Sequence, residues 1–156
     1  MSPPGCGKTT FIRDLIYQLS NHNYCYNVLI ADERFEIASV VNGEPQLNVG
    51  DFTDVYSGCT KSFAFENGIR SLRPDVIVTD EIATERDVEA INYASACGVG
   101  VLASAHCEGI AEFKRKPYFE ELIKNKVFKR IVVLSNKKGP GTYEGIYDEN
   151  LSFIYF

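Results

Sequence analysis

The stretch MSPPGCGKTT, residues 1–10, and the run VIVTDE, residues 76–81, decide the reading of this chain. Against the pattern G-x-x-x-x-G-K-[ST], Gly7, Lys8 and Thr9 fit, and Ser2 holds the position of the first glycine. Gly5 and Gly7 let the backbone curl so that successive N–H groups converge on a phosphate. A helix that begins at once adds its positive end. Lys8 offers a point charge to the outer phosphates of a nucleotide, and the Thr9 hydroxyl suits Mg²⁺. Pro4, Gly5, Cys6, Gly7, Lys8, Thr9 and Thr10 therefore form the expected nucleotide-binding stretch. With glycine at about 7% of residues, a chance G-x-G-K-[ST] in a chain this long arises on the order of 1% of the time.

Such a loop ordinarily follows a strand, and here only Met1 and Ser2 precede it. Without that strand its neighbours keep unpaired backbone groups, each costing about 1–3 kcal/mol if buried. The expectation is a fragment that lacks this strand, or a sheet in which a different strand closes the gap.

The second run is an apolar strand ending in two carboxylates. Asp80 is placed to hold Mg²⁺ through water, and Glu81 to orient and polarise an attacking water. A neighbouring run, Val101 to His106, also ends in polar groups at the carboxyl end of a strand, where open α/β sheets bind ligands. Ser104 and His106 are candidates there for sensing the terminal phosphate. Asp32, Glu33, Arg34 and Glu36 follow another strand; they either position water or Mg²⁺, or bind Arg34 and cap a loop. Arg70 and Arg73 precede the Asp80 strand and suit phosphate contact with a nucleotide held by a neighbouring subunit; surface ion pairs are the alternative.

Around these motifs helix and strand alternate. Phe11, Ile12, Leu15, Ile16 and Leu19 make one apolar stripe on a helix over residues 9–20. Strands are expected over 27–31, 76–79, 99–105 and 128–134, helices over 62–72 and 85–97, and a loop-rich excursion from the Asn42-Gly43 turn to about residue 60. Residues 114–130 read as two short helices interrupted at Pro117, and residues 143–147 and 151–156 as a hairpin around 148–150. This order implies a three-layer α/β domain around a mostly parallel sheet, spanning residues 1–156.

The whole chain has 156 residues and a formal net charge of −5. Mild acidity argues against nucleic-acid coating as the main task. The charge is uneven: residues 1–110 hold 7 basic and 15 acidic residues, and residues 111–156 hold 9 and 6. The basic excess is either a solvated helical face or a surface for an acidic neighbour, a subunit or a membrane. No apolar stretch approaches the ~20 residues of a bilayer span. Five cysteines without a C-x-x-C pair, beside only His22 and His106, suit reduced, mostly buried thiols rather than zinc or disulfides. The composition is that of a soluble cytoplasmic domain.

The segments PPGCGKTTFIRDLI, ADERFEIASVVNGEPQLNVGDFTDVYSGCTK, IRSLRPDVIVTDEI, VLASAHCEGI and GPGTYEGIYDEN resemble, in this order, the stage III sporulation protein AA family. That family is similar to the secretion ATPases of type II and type IV systems. The resemblance implies a RecA-like P-loop NTPase domain that uses ATP and Mg²⁺ and assembles as a homo-oligomeric, hexameric ring. It implies a cytoplasmic place at the inner face of a membrane, with membrane channel proteins of the sporulation export complex as partners and no sequence-specific nucleic acid. Its role would be to energise a channel between mother cell and forespore. The implied site is Asp32 to Glu36, Gly5 to Thr10, Asp80 with Glu81, and Ser104 with His106; Glu81, His106 and Arg70 would be catalytic, and Thr9 and Asp80 would hold the metal. Ala83-Thr84 stands where the family pattern has glycine and a basic residue, with Arg86 as a substitute. A nucleotide-gated binding subunit without turnover and a small soluble nucleoside-triphosphatase are the alternatives.

Overall fold

The structure, a computed structural model, describes residues 1–21 and 23–154; His22 and the last two residues of the expected 151–156 strand lie outside them. The elements run α1 (Lys8–Ser20), β1 (Val28–Asp32), β2 (Val40–Val41), β3 (Glu44–Pro45), β4 (Thr53–Ser57), α2 (Lys61–Leu72), β5 (Val76–Glu81), α3 (Glu85–Ala96) and β6 (Gly100–Ser104). There follow α4 (Ile110–Arg115), a 3₁₀ turn (Pro117–Phe119), α5 (Glu120–Lys124), β7 (Arg130–Ser135), β8 (Thr142–Asp148) and β9 (Phe153–Ile154).

Strands β4-β1-β5-β6, in that spatial order, form one parallel sheet. Alternation along the central strands sets the layers, because successive side chains leave a strand on opposite faces. Val28 and Ile30 of β1 and Val78 of β5 pack with Ile12 and Ile16 of α1. Leu29, Ala31 and Ile77 pack on the other face with Phe65 of α2 and Val88 and Ile91 of α3. Buried on both faces, β1 and β5 read as continuous apolar runs. Gly68 lets α2 approach closely, since a Cβ there would lie 2.0 Å from Leu29 Cδ2. The fold is the expected mixed α/β architecture with a parallel sheet.

Two expectations need correction. The excursion to residue 60 contains β4, a full strand paired with β1 through residues 53–57. It lies at the sheet edge and is only partly buried, so it carries Thr53, Asp54 and Ser57 and lacks an apolar run. Strand β7 does not join the parallel sheet: β7, β8 and β9 form a separate antiparallel meander. Its last turn is where expected, with Asp148 Oδ1 accepting from the Asn150 and Ser152 amides at 2.9 and 2.8 Å.

Met1 and Ser2 lie between the two sheets. Ser2 bridges His106 in parallel fashion, its amide donating to the Ala105 carbonyl at 3.3 Å. On the other side the Met1 amine donates to Val132 O, and Leu134 N donates to Met1 O at 2.9 Å. Beyond these two residues no described strand lies between β6 and β7. A largely apolar cavity of about 210 Å³, lined by residues such as Leu102, Ala103, Phe113 and Ile131, occupies that space.

The thiols are less buried than expected. Cys6 and Cys107 are buried, Cys59 is half-buried, and Cys25 and Cys97 are exposed. Among the described residues no helix is long and apolar enough to cross a membrane.

Candidate nucleotide site

The loop at residues 2–7 curls through two left-handed glycines, Gly5 at φ 74° and Gly7 at φ 82°, a conformation that side-chain-bearing residues resist. Gly7 is also where α1 begins, with no side chain capping it, so the first amides of the helix are open to an anion. The tip of the β7–β8 connection supports the loop from behind: the Gly141 amide donates to Cys6 O at 3.0 Å. A Cβ on Gly7 would come within 3.2 Å of Gly141 N. Phe11 meets Tyr143 edge-on at 5.8 Å.

A polar cavity of about 300 Å³ opens over this loop. It is lined by Pro4, Gly5, Gly7, Lys8, Thr9 and Thr10 from the loop and α1, and by Arg34, Glu36, Asp80, Glu81, Ser104 and His106 from the strand ends. Of the nucleotide-binding stretch only Cys6 turns away: its side chain is buried and its thiol lies 3.7 Å from Pro4 O. Both carboxylates of β5 reach this one space, although successive strand residues normally face opposite ways. A bulge accounts for it. Thr79 pairs with Ala103 but Glu81 pairs with Ser104, so Asp80 is the extra residue; such an insertion re-aims side chains at a sheet rim.

Lys8 folds back over the loop. Its Nζ donates to Ser2 O at 3.0 Å, Pro3 O at 2.9 Å and Ser2 Oγ at 3.2 Å, and lies 3.0 Å from His106 Nδ1. Burial pushes the Lys8 pKa below its ordinary value, opposed more weakly by the nearby thiols and Glu81. An ammonium can only donate, so Nδ1 of His106 is placed as the acceptor, which leaves Nε2 on the far side of the ring. That nitrogen faces Glu81 Oε2 at 3.6 Å. Arg34, from the loop after β1, reaches the same Glu81 oxygen at 3.5 Å.

The acidic cluster divides by role. Asp32 is fully buried and caps the loop, its two oxygens accepting from the Glu36, Ile37 and Ala38 amides at 2.9–3.1 Å. Arg13 of α1 pins the same loop through Glu36 O and Ile37 O. Glu33 turns to Lys61 at 2.9 Å, and Glu36 lines the cavity.

Lys61 is the residue that sequence reasoning missed. It is buried at the first position of α2, with its Nζ 3.0 Å from Asp80 Oδ1 and 3.5 Å from Asp87 Oδ1. Burial opposes its charge, yet Glu33, Asp80 and Asp87 outweigh that and raise its pKa. Asp80 is also raised, chiefly by burial, with Lys61 pulling the other way. Three carboxylates around one ammonium leave surplus negative charge at this cluster. A signal did exist in the sequence: a lysine in the first turn of a helix sits at the end that repels cations, and no acidic residue of that turn compensates it.

Arg70 and Arg73 end α2 away from the cavity, and Arg70 is exposed. Arg86 is exposed on α3 and does not line it either. Ala83 and Thr84 serve the start of α3: their amides donate to Asp87 Oδ2 at 2.9 Å, while Thr84 Oγ1 accepts from Asp87 N. This capping box fixes Asp87 beside Lys61.

Residues 1–154 match the family described as "Sporulation stage III, protein AA". The chain belongs to the stage III sporulation protein AA family. It is 38% identical over 155 residues to stage III sporulation protein AA of Bacillus subtilis (strain 168), covering 96% of this chain and 50% of that protein. It is 30% identical to the uncharacterized protein ycf45 of Cyanidium caldarium, over 77% of this chain and 36% of that one. The chain thus spans half or less of the length of these relatives. Among solved structures, this member of the sporulation family resembles the VirB11 ATPase of the Brucella suis type IV secretion system in complex with sulphate. The TM-score is 0.66 at 17% identity, covering 95% of this chain and 46% of that one. The Legionella pneumophila ATPase DotB follows, with TM-score 0.64 at 17% identity over 95% and 44%. At that identity the likeness establishes the fold alone, shared with about half of either neighbour.

Proposed function

We propose that this chain is the ATP-binding and ATP-hydrolysing part of a secretion-ATPase-like motor that works in endospore formation. The observation that carries this is the convergence of Lys8, Asp80, Glu81 and His106 on one polar cavity at the open end of α1. A triphosphate offers that cavity what it lacks, a counter-charge for the loop amides and for Lys8. Lys8 is held by carbonyls and an imidazole, neutral acceptors that a phosphate outcompetes. As Lys8 moves to the β- and γ-phosphates, His106 loses its partner at Nδ1 and is free to read the terminal phosphate together with Ser104.

The donor set fits a hard divalent cation. Among the described residues Asp80 Oδ2 is buried without a hydrogen-bond partner, and the Thr9 hydroxyl lies on the same cavity. Thr9 would hold Mg²⁺ directly and Asp80 through water; when bound, the ion neutralises charge on the phosphates. Glu81 takes the proton of a water whose oxygen attacks the γ-phosphorus, as the bond to the ADP oxygen breaks. For that, Glu81 must leave Arg34.

The family name supports a task in sporulation, and the printed names of the structural neighbours an ATPase, one of them of a type IV secretion system; the proposed motor works as a ring at a membrane channel. Arg70, exposed and outside its own cavity, suits a phosphate held by the next subunit. The net charge of −5 argues against nucleic-acid coating as the main task.

Phosphate release from wild type and Glu81→Gln tests hydrolysis. The substitution is expected to lower release by about 10²–10⁴-fold while sparing ATP binding. Equal, background-level release from both would support a nucleotide-gated binding subunit instead. Arg70→Ala should spare binding and lower turnover, with recovery when wild-type subunits are mixed in; absence of recovery would count against action between subunits.

A further inference from the structure

Lys61 takes no part in the reaction just described, yet it makes three ion pairs beside it. Its ammonium joins three elements: Glu33 after β1 at 2.9 Å, Asp80 at the end of β5 at 3.0 Å, and Asp87 of α3 at 3.5 Å. Two of these partners are themselves fixed. Asp87 is locked into the capping box of α3, and Glu33 belongs to the loop whose amides Asp32 ties down. Lys61 is therefore anchored on sides that do not face the cavity. It also stands at the amino end of α2, where the helix dipole disfavours a cation, and it is 6% exposed. A buried cation in such a place is retained by its anions.

The consequence falls on Asp80. Its Oδ1 is taken by Lys61, with the Thr79 hydroxyl at 3.5 Å. Its Oδ2 is buried and has no hydrogen-bond partner among the described residues, and the residue lines the phosphate cavity. A carboxylate gripped at one oxygen by a fixed ammonium cannot rotate to satisfy both oxygens elsewhere. We infer that Lys61 is a positioning residue which holds Asp80 by one oxygen and so presents the other to the hydrated magnesium of a bound nucleotide. This rests on the nucleotide reading given above and adds to it the residue that orients the metal-facing carboxylate.

The test is a titration of Mg²⁺ against the affinity for a fluorescent ATP analogue, with melting temperature followed in parallel. Wild type should bind the analogue without metal and bind it more tightly as Mg²⁺ rises. Lys61→Met should match wild type without metal but need about tenfold more Mg²⁺ for half of the enhancement, the scale on which outer partners of metal ligands act. In an Asp80→Asn background the same substitution should change the Mg²⁺ dependence no further, because Lys61 acts through Asp80. Where Lys61→Met does not fold, Lys61→Met/Asp87→Asn removes one buried anion with the cation, and the same shift is expected of it. A folded Lys61 variant with the Mg²⁺ dependence of wild type would overturn the inference and reduce Lys61 to a charge-balancing residue. A further shift in the Asp80→Asn background would overturn it as well. Wild-type protein that binds no analogue at all would instead sink the nucleotide reading, and this inference with it.

Discussion

Lys8 and Lys61 occupy equivalent positions in two different regions: each opens a helix, each is buried, and each stands at the positive end of the helix dipole. Their surroundings are opposite. Lys8 rests on two carbonyls, a hydroxyl and an imidazole, and burial lowers its pKa. Lys61 rests on three carboxylates, which raise its pKa against the same burial. A cation held by neutral groups is poised to move to a stronger anion; a cation held by anions stays. The first region is therefore the movable part of the site and the second its fixed floor.

The sharpest way to break this contrast is stability. Lys61→Met leaves three buried or half-buried carboxylates without their cation and should cost about 3–5 kcal/mol, read as a fall in denaturation midpoint. Lys8→Met should change stability by no more than about 1 kcal/mol, since no charge is orphaned. Equal losses would erase the distinction. Next in size is binding. Lys8→Ala should lower ATP affinity at least about 100-fold, or ~2.7 kcal/mol, enough to abolish binding at micromolar ATP; retained affinity in calorimetry would remove Lys8 from the phosphate site. The smallest effect concerns pH. The folded Lys8 pKa lies below 10.5, so over the pH range just below 10.5 the unfolded chain binds more protons at this residue. Stability from Lys8 therefore rises with pH through that window. Lys8→Met should show a shallower rise than wild type in denaturation midpoints measured up to pH 10.5, and identical slopes would contradict the desolvated environment.

The same contrast marks what the sequence made legible. The glycine loop at residues 2–7, α1 and the β5 run were readable because each is a local pattern: a glycine spacing, an apolar stripe, an unbroken apolar strand. Lys8, Thr9, Asp80, Glu81, Ser104 and His106 do line one cavity. Edge strand β4 was not readable, since three of its five residues are polar and its pairing with β1 is a tertiary matter. Nor was the division of the acidic cluster, in which Asp32 caps a loop while Glu33 reaches Lys61; composition cannot tell a cap from a ligand. The Lys61 hub depends on three elements meeting in space, and only the cation at a helix amino end hinted at it. Arg34 on Glu81 was hidden for the same reason.

The central claim is that Lys8, Asp80 and Glu81 share a pocket for a magnesium-bound triphosphate. Amide chemical-shift mapping of the protein with a non-hydrolysable ATP analogue and Mg²⁺ tests it most directly. The largest shifts are expected at Gly5 to Thr10, at Asp80 and Glu81, and at Ser104 and His106, with the Asp80 and Lys61 signals responding only when Mg²⁺ is present. Shifts confined to another face, or none at saturating analogue, would contradict it.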